Sequence, residues 1–381
     1  MVLSAYTKMQ RSNDEAFAFE QEANFWWLTG IEREDWHLII DGTRGKSWLV
    51  APKISESHEI FDGSLSAQEA MGISGIEAIV PASEEIRLLR DLAKKHSVAH
   101  TLGDHPHADY FDFVVNPAQR KMYELLERTF NSVQDCRKDL AQLRAIKQPE
   151  ELRRMQKAID LTTEAFKKVK ESFADFSHEY EVEVAFSSHF RLSGAKGHAF
   201  DPIVASGKNA CQLHYLDNAS KLKSRQLVVM DIGARRYGYA ADVARTYAYG
   251  EPTKRQTAVH RAVQEAQQRI IKLLKPDLSV EEYQREVDGV MAEALMSLGL
   301  LKDPADTKTY RRYFSHAISH GLGVDTHDSL GAPRFFQPNM VLTVEPGIYI
   351  PEEGIGVRIE DDILITASGH KNLSGHLSTD Y

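Results

Sequence analysis

Apolar positions along this chain follow two periods, and the switches between them outline its elements. Ser47-Trp48-Leu49-Val50-Ala51 and Ala78-Ile79-Val80 are short apolar runs that read as strands. Ser83 then predicts a helix cap, with Glu84 and Glu85 in the first turn and Leu88 and Leu92 on one face. Residues 1 to about 115 therefore read as an α/β unit. From about Pro117 the pattern turns helical and highly charged. It breaks at Lys147-Gln148-Pro149, where proline suits the first turn of a new helix. Beyond the break, Leu152, Met155, Ile159, Phe166, Val169 and Phe173 recur at helical spacing. So do Val259, Val263, Ala266, Ile270 and Leu274, and then Val280, Tyr283, Val287, Met291 and Leu295, a stripe that stops at Gly299. Strand-like stretches at 226–230, 239–247, 340–344 and 356–366 interleave with these helices, an α+β arrangement. Two domains, 1–145 and 146–381, fit a length of 381 residues.

Composition narrows the class. The hydrophobic share is 42% and the net charge −9, from 46 basic and 55 acidic residues. No basic run is dense enough to track a phosphate backbone, so a nucleic-acid partner is not expected. The N-terminus lacks the apolar core of a signal peptide, and no apolar run approaches the ~20 residues of a membrane span. Cys136 and Cys211 are too few for a disulfide framework or a zinc knuckle. A cytoplasmic location without membrane association is the expectation.

Candidate chemistry concentrates in the second domain. Asp231 closes the apolar run Leu227-Val228-Val229-Met230, and Asp242 lies in the next extended stretch. A turn centred on Arg236 and Tyr237 would make the two aspartates direct cross-strand partners on one face, with a bulge shifting the register by one. Glu345 follows Val341-Leu342-Thr343-Val344. Glu360 faces it if the chain turns at Pro351-Glu352-Glu353-Gly354, although Pro346-Gly347 weakens the strand just after Glu345. Paired carboxylates on a buried face repel unless a cation lies between them. A single Asp or Glu is usually a solvated charge, but these end buried-looking strands. His316, His320 and His327 cluster in sequence nearby. The i, i+4 spacing of His316 and His320 is that of helical zinc ligands, yet Ala317 breaks the H-E-x-x-H pattern and the glycines after His320 argue against a helix. Four carboxylates and one imidazole suit two divalent ions, manganese first, with zinc or cobalt as alternatives. Such a pair acidifies a water and polarises a carbonyl.

The motifs that carry this chemistry resemble a known family. Phe200-Asp201-Pro202-Ile203-Val204-Ala205-Ser206-Gly207, His214-Tyr215, Asp231-Ile232-Gly233, Asp242-Val243-Ala244-Arg245-Thr246, His320-Gly321-Leu322-Gly323, Glu345-Pro346-Gly347 and Arg358-Ile359-Glu360-Asp361-Asp362 resemble the proline-specific branch of the pita-bread metallopeptidases. Leu143-Arg144-Ala145-Ile146-Lys147 and Asn24-Phe25-Trp26-Trp27-Leu28-Thr29-Gly30 resemble the smaller α/β creatinase-like N-terminal domain of that branch. The resemblance implies an α+β pita-bread catalytic domain with Asp231 on one metal, His320 and Glu345 on the other, and Asp242 and Glu360 shared. It implies that Glu345 takes the proton of the attacking water and that His214, His316 and His327 hold substrate. Arg358 would brace the carboxylates. It also implies a peptide substrate with proline at the second position and a homodimer. One departure stands out: where the family usually carries a tyrosine, this chain has Arg236, so Tyr237 is the candidate replacement.

Within this branch the sequence favours an Xaa-Pro dipeptidase (prolidase), with Arg334 as the cap for the substrate's terminal carboxylate; a solvated loop arginine is the competing account of that residue. An Xaa-Pro aminopeptidase (aminopeptidase P) is the alternative. Metal-free creatinase and a non-catalytic binding protein are disfavoured by the full set of five ligand residues, and methionine aminopeptidase by the size of the N-terminal domain. His105-Pro106-His107 with Asp104 and Asp109 could bind a metal but reads better as a polar loop, and Trp26-Trp27 read as buried strand residues.

Overall fold

The computed structural model describes residues 1–103 and 108–381, with Asp109 described by its backbone alone. The His105-Pro106-His107 stretch and Asp104 lie outside the described residues. The chain forms two compact units, Met1–Leu140 and Ala141–Tyr381.

The first unit is built on a sheet of Val2–Ser4, His37–Asp41, Lys46–Ala51 and Ile79–Pro81, in that order. The last strand joins in parallel and the others pair antiparallel. A separate parallel pair, Val98–Thr101 with Ser132–Asp135, extends the α/β pattern. The expected helix is Ala82–Ala93, but its N-cap is Pro81 rather than Ser83, and no side chain caps it. Proline's fixed φ is compatible with the residue that enters a helix, so the helix starts directly after the strand. Trp26 and Trp27 are helical rather than extended. The Glu22 carboxylate accepts the Phe25 N–H at 2.7 Å, starting helix Ala23–Thr29, which Gly30 ends at a φ of 70°.

The second unit sets two helical layers around strands. Helix Pro149–Glu171 begins at the predicted proline, and Met155, Ile159, Phe166 and Val169 are buried. With helix Glu179–Leu192 it covers the sheet of Ile203–Ser206, Gln226–Ile232 and Val243–Tyr249, forming one core. Helices Lys254–Leu273 and Val280–Ser297 pack on the strands Val341–Val344, Gly347–Ile350, Ile355–Arg358 and Asp361–Ile365, forming another. Among the described residues no helix is long and apolar enough to cross a membrane.

Two registers place the acidic residues. The ladder from Gly347↔Arg358 to Ile350↔Ile355 and the ladder from Val341↔Leu364 to Val344↔Asp361 share one frame. In that frame Glu345 faces Glu360, as the turn at 351–354 predicts. Pro346 lacks the N–H of its own pair, although the Ile359 N–H still donates to Pro346 O at 3.3 Å. At the adjacent position the backbone faces outward by alternation: the Glu360 N–H donates to Ala244 O at 3.0 Å and the Glu345 N–H to Ile318 O at 3.0 Å, continuing the edge on which the Thr343 N–H donates to His320 O.

The other hairpin is offset from expectation. Asp231 pairs with Ala244, not Asp242, because the turn sits at Tyr237 and Gly238, both with positive φ. An offset of two residues preserves the face, since side chains alternate with period two. At Gly233 a Cβ would overlap the Ala241 carbonyl oxygen and the Phe200 ring. Glycine is what allows the strand after Asp231 to cross so closely.

Candidate metal centre

Four strand ends and one loop converge on a buried acidic cluster. Asp231 comes from Gln226–Ile232, Asp242 immediately precedes Val243–Tyr249, and Glu345 and Glu360 flank the interrupted hairpin. His320 lies in a non-helical segment that runs alongside strand Val341–Val344, with the Thr343 N–H donating to His320 O at 2.9 Å. Asp231, Asp242 and Glu360 offer oxygens that all lie within 4.8 Å of one another. His320, Glu345 and Glu360 do the same, as do Asp242, His320 and His327. Glu360 belongs to two of these groups, and so do Asp242 and His320. Two adjoining cation sites sharing carboxylates therefore fit the geometry.

Their electrostatics call for positive charge. Burial, then the neighbouring Asp231, pushes the Asp242 carboxyl well above its ordinary value. Burial pushes Glu360 well up too, with Asp242, Glu345 and Asp231 adding to it. Burial raises Glu345 to about 7, with His320 and Arg358 opposing and Asp242 and Asp231 reinforcing. Arg358 donates to Asp231 Oδ2 from Nε at 3.0 Å and from Nη2 at 2.6 Å. That leaves Asp231 Oδ1 buried with no hydrogen-bond partner, and Glu360 Oε1 is in the same condition. Buried carboxylate oxygens of this kind mark a missing ligand. One arginine cannot neutralise four carboxylates, and the oxygen-rich donor set with one imidazole suits divalent ions of hard to borderline character.

Histidine tautomers follow from their partners. His320 Nδ1 lies 2.9 Å from Gly321 O, which can only accept, so Nδ1 carries the proton. The Nε2 lone pair then points among the carboxylates, 3.5 Å from both Asp242 Oδ2 and Glu345 Oε1. His316 Nδ1 donates to Ala317 O at 2.7 Å, so its Nε2 accepts from the Tyr349 hydroxyl at 2.8 Å. Arg358 Nη1 donates to that same hydroxyl at 2.9 Å. Burial and the Arg358 charge lower the His316 pKa to about 4, which keeps it the acceptor this chain requires. His327 stacks edge-on to His320 at 4.3 Å between ring centroids. His214 is exposed, close enough to His316 for its charge to depress that pKa further.

Two expected residues make no hydrogen bond or ion pair with the cluster among the described residues. Tyr237 sits at the hairpin tip with φ of 53° and is 51% exposed, its ring under Lys157 Nζ at 5.1 Å. The turn conformation aims it off the end of the hairpin. Arg334 is exposed and lies over the Phe335 ring at 5.2 Å. Its backbone is tied to the start of helix Val280–Ser297, where the Val280 N–H donates to Arg334 O at 3.1 Å. Conversely, sequence reasoning missed Tyr349, the phenol that does lie in the site. Its alternation with Gly347 on the strand after Glu345 was the available signal. Also missed was Asp362, wholly buried, which accepts the Asp242 N–H at 3.2 Å.

The chain belongs to metallopeptidase family M24, which residues 153–367 match, and residues 1–101 match the aminopeptidase P N-terminal domain. Its fold is the pita-bread catalytic domain preceded by that N-terminal domain. It is 32% identical to the Xaa-Pro aminopeptidase of Escherichia coli strain K12, over 98% of this chain and 90% of that protein. Proline aminopeptidase P II from Yersinia pestis superposes with a TM-score of 0.85 at 30% identity, covering 100% of this chain and 92% of that one. Aminopeptidase P from E. coli with the inhibitor Pro-Leu superposes with a TM-score of 0.85 at 29% identity, covering 99% and 91%.

Proposed function

We propose that this metallopeptidase is an Xaa-Pro aminopeptidase, releasing the N-terminal residue from peptides with proline at the second position. The observation that carries this reading is similarity to the E. coli Xaa-Pro aminopeptidase over nearly the whole of both chains. The comparisons favour this alternative over the dipeptidase that the sequence suggested.

Asp231, Asp242 and Glu360 would hold one divalent cation, and Asp242, His320, Glu345 and Glu360 a second. When bound, such ions acidify water and polarise the scissile carbonyl. The remaining work falls to the chain. Glu345 would accept a proton at its carboxylate and deliver it to the departing proline nitrogen, which has no hydrogen of its own in the peptide. His214 and His327 offer ring N–H groups to the substrate carbonyl as charge develops on its oxygen. Arg358 and Tyr349 fix Asp231 and His316 in orientation. Manganese is the first metal to test, and a homodimeric cytoplasmic enzyme completes the reading.

Metal-stripped protein resupplied with manganese, zinc or cobalt should cleave an Xaa-Pro-Yaa tripeptide faster than an Xaa-Pro dipeptide. A preference for the dipeptide would restore the dipeptidase reading. Absence of cleavage with every metal would overturn both.

A further inference from the structure

His214 lies in the connection between strands Ile203–Ser206 and Gln226–Ile232, which contains only the short helical turn Gly207–Cys211. Such a segment has few backbone bonds of its own and must be fixed from outside. Glu179, in the first turn of helix Glu179–Leu192, does this. It is 0% exposed, and no positive side chain pairs with it among the described residues. Four donors close on its carboxylate. Ser206 N–H at 2.7 Å and Asn209 Nδ2 at 3.0 Å reach Oε1. The Tyr215 hydroxyl at 2.9 Å and Ser220 N–H at 2.8 Å reach Oε2. The donors span both ends of the segment and the residue beside His214.

The rest of the segment is seated consistently with this. One helical turn on, Glu183 accepts from Asn218 Nδ2 at 2.9 Å, and Asn218 Oδ1 accepts the Val204 N–H at 2.9 Å. The Tyr215 ring packs with Ile203, Ala205, Ala210 and Val229. Gly356, on the strand that ends at Arg358, has no room for a Cβ because the Ala210 carbonyl lies against it. A buried carboxylate is costly unless its lone pairs are filled, and here every filling donor belongs to or borders the His214 segment.

We propose that Glu179 is a positioning residue that holds His214 in place for the substrate without touching substrate or metal ligands. The ordering of the segment stands alone; its consequence for catalysis rests on the proposed function. Glu179→Gln puts an NH2 where two donors point. In the metal-loaded enzyme it should lower kcat for an Xaa-Pro-Yaa tripeptide about tenfold, roughly the worth of one charged hydrogen bond, while KM changes less than about threefold, because His214 acts as charge develops in the transition state. In a His214→Ala background the same substitution should change kcat/KM less than about twofold, because the residue it acts through is gone. Amide hydrogen exchange should accelerate across 206–220 and stay unchanged across 226–232. Tyr215→Phe, which removes one donor and keeps the ring, should act in the same direction and serves if Glu179→Gln does not fold. An equal loss in both backgrounds, or unchanged exchange in 206–220, overturns the proposal. If the wild type cleaves no proline peptide, the proposed function fails while the exchange measurement still decides the role of Glu179.

Discussion

Replacing Arg245 with methionine tests whether a single buried guanidinium ties the second unit together. Arg245 is 0% exposed and makes five hydrogen bonds. It reaches Asp361 Oδ1 at 2.7 Å, and the carbonyls of Ala244 at 2.8 Å, Glu360 at 2.6 Å, Leu377 at 3.0 Å and Ser378 at 3.0 Å. Burial pushes the Asp361 carboxyl up, but Arg245 beside it holds it below its ordinary value, helped by Ser374 and Asn372. Arg245→Met therefore leaves the buried Asp361 carboxylate without its counter-charge, with only Gln267, Asn372 and Ser374 donating to it, and takes a donor from four carbonyls, of which Ala244 O keeps the Glu360 N–H. Breaking a buried pair from one side costs about 3–5 kcal/mol. Asp361→Asn keeps much of the hydrogen bonding and should cost about 1–3 kcal/mol. The double variant buries neither charge, so its loss should fall short of the sum by at least about 1.5 kcal/mol. Urea unfolding of the metal-free protein is the assay, since bound cations would add stability of their own through Glu360. A loss below about 1 kcal/mol for Arg245→Met, or additivity within about 0.5 kcal/mol, would refute the reasoning.

Three further expectations follow from the same geometry. Glu360→Gln relieves like-charge crowding, so the metal-free protein should gain at least about 1 kcal/mol by urea unfolding while manganese binding by calorimetry is lost. Tyr349→Phe removes the hydroxyl between Arg358 and His316 and should lower kcat/KM about tenfold with metal affinity retained; unchanged kinetics would remove Tyr349 from the site. Burial lowers the His260 pKa to about 4, so this ring is neutral in the fold near pH 5 but would be protonated in the unfolded chain. Its contribution, up to about 3 kcal/mol, is full above the unfolded value near 6.5 and fades as pH falls towards 4. His260→Gln should flatten that acid slope only in part, because His198, also lowered to about 4, loses stability in the same window.

The acidic cluster was legible because strand arithmetic is local. Pro351 to Gly354 marks a turn, and the turn alone sets Glu345 against Glu360. Pro346, an objection from sequence, costs the ladder only its own N–H, and the register runs through it unchanged. The Asp231 hairpin was read two residues out because its tip uses Tyr237 in a left-handed conformation, which a non-glycine residue does not advertise; Gly238 was the usable cue. Arg334 and Tyr237 were chosen by nearness in sequence; the first is exposed over Phe335 and the second is half exposed at the hairpin tip. Glu179 and Arg245 could not be read this way. Their roles depend on partners that only tertiary packing supplies, such as Ser220 for Glu179 and Leu377 for Arg245. Trp26 and Trp27 were misread because aromatic residues suit strands, whereas Glu22 and Gly30 delimit a helix there.

The shared frame of the two ladders around Pro346 constrains how this chain can be edited. The tip at 351–354 lies beyond the last paired residues, so residues added there lengthen a loop and leave Glu345 opposite Glu360. A single residue inserted between Glu345 and Ile350 would do something different. It would slip one arm against the other and turn alternate side chains to the opposite face, carrying a carboxylate out of the cluster without altering any residue in it. Length changes of one residue in that short arm should therefore abolish metal binding as completely as replacing a ligand, while a longer tip is accommodated.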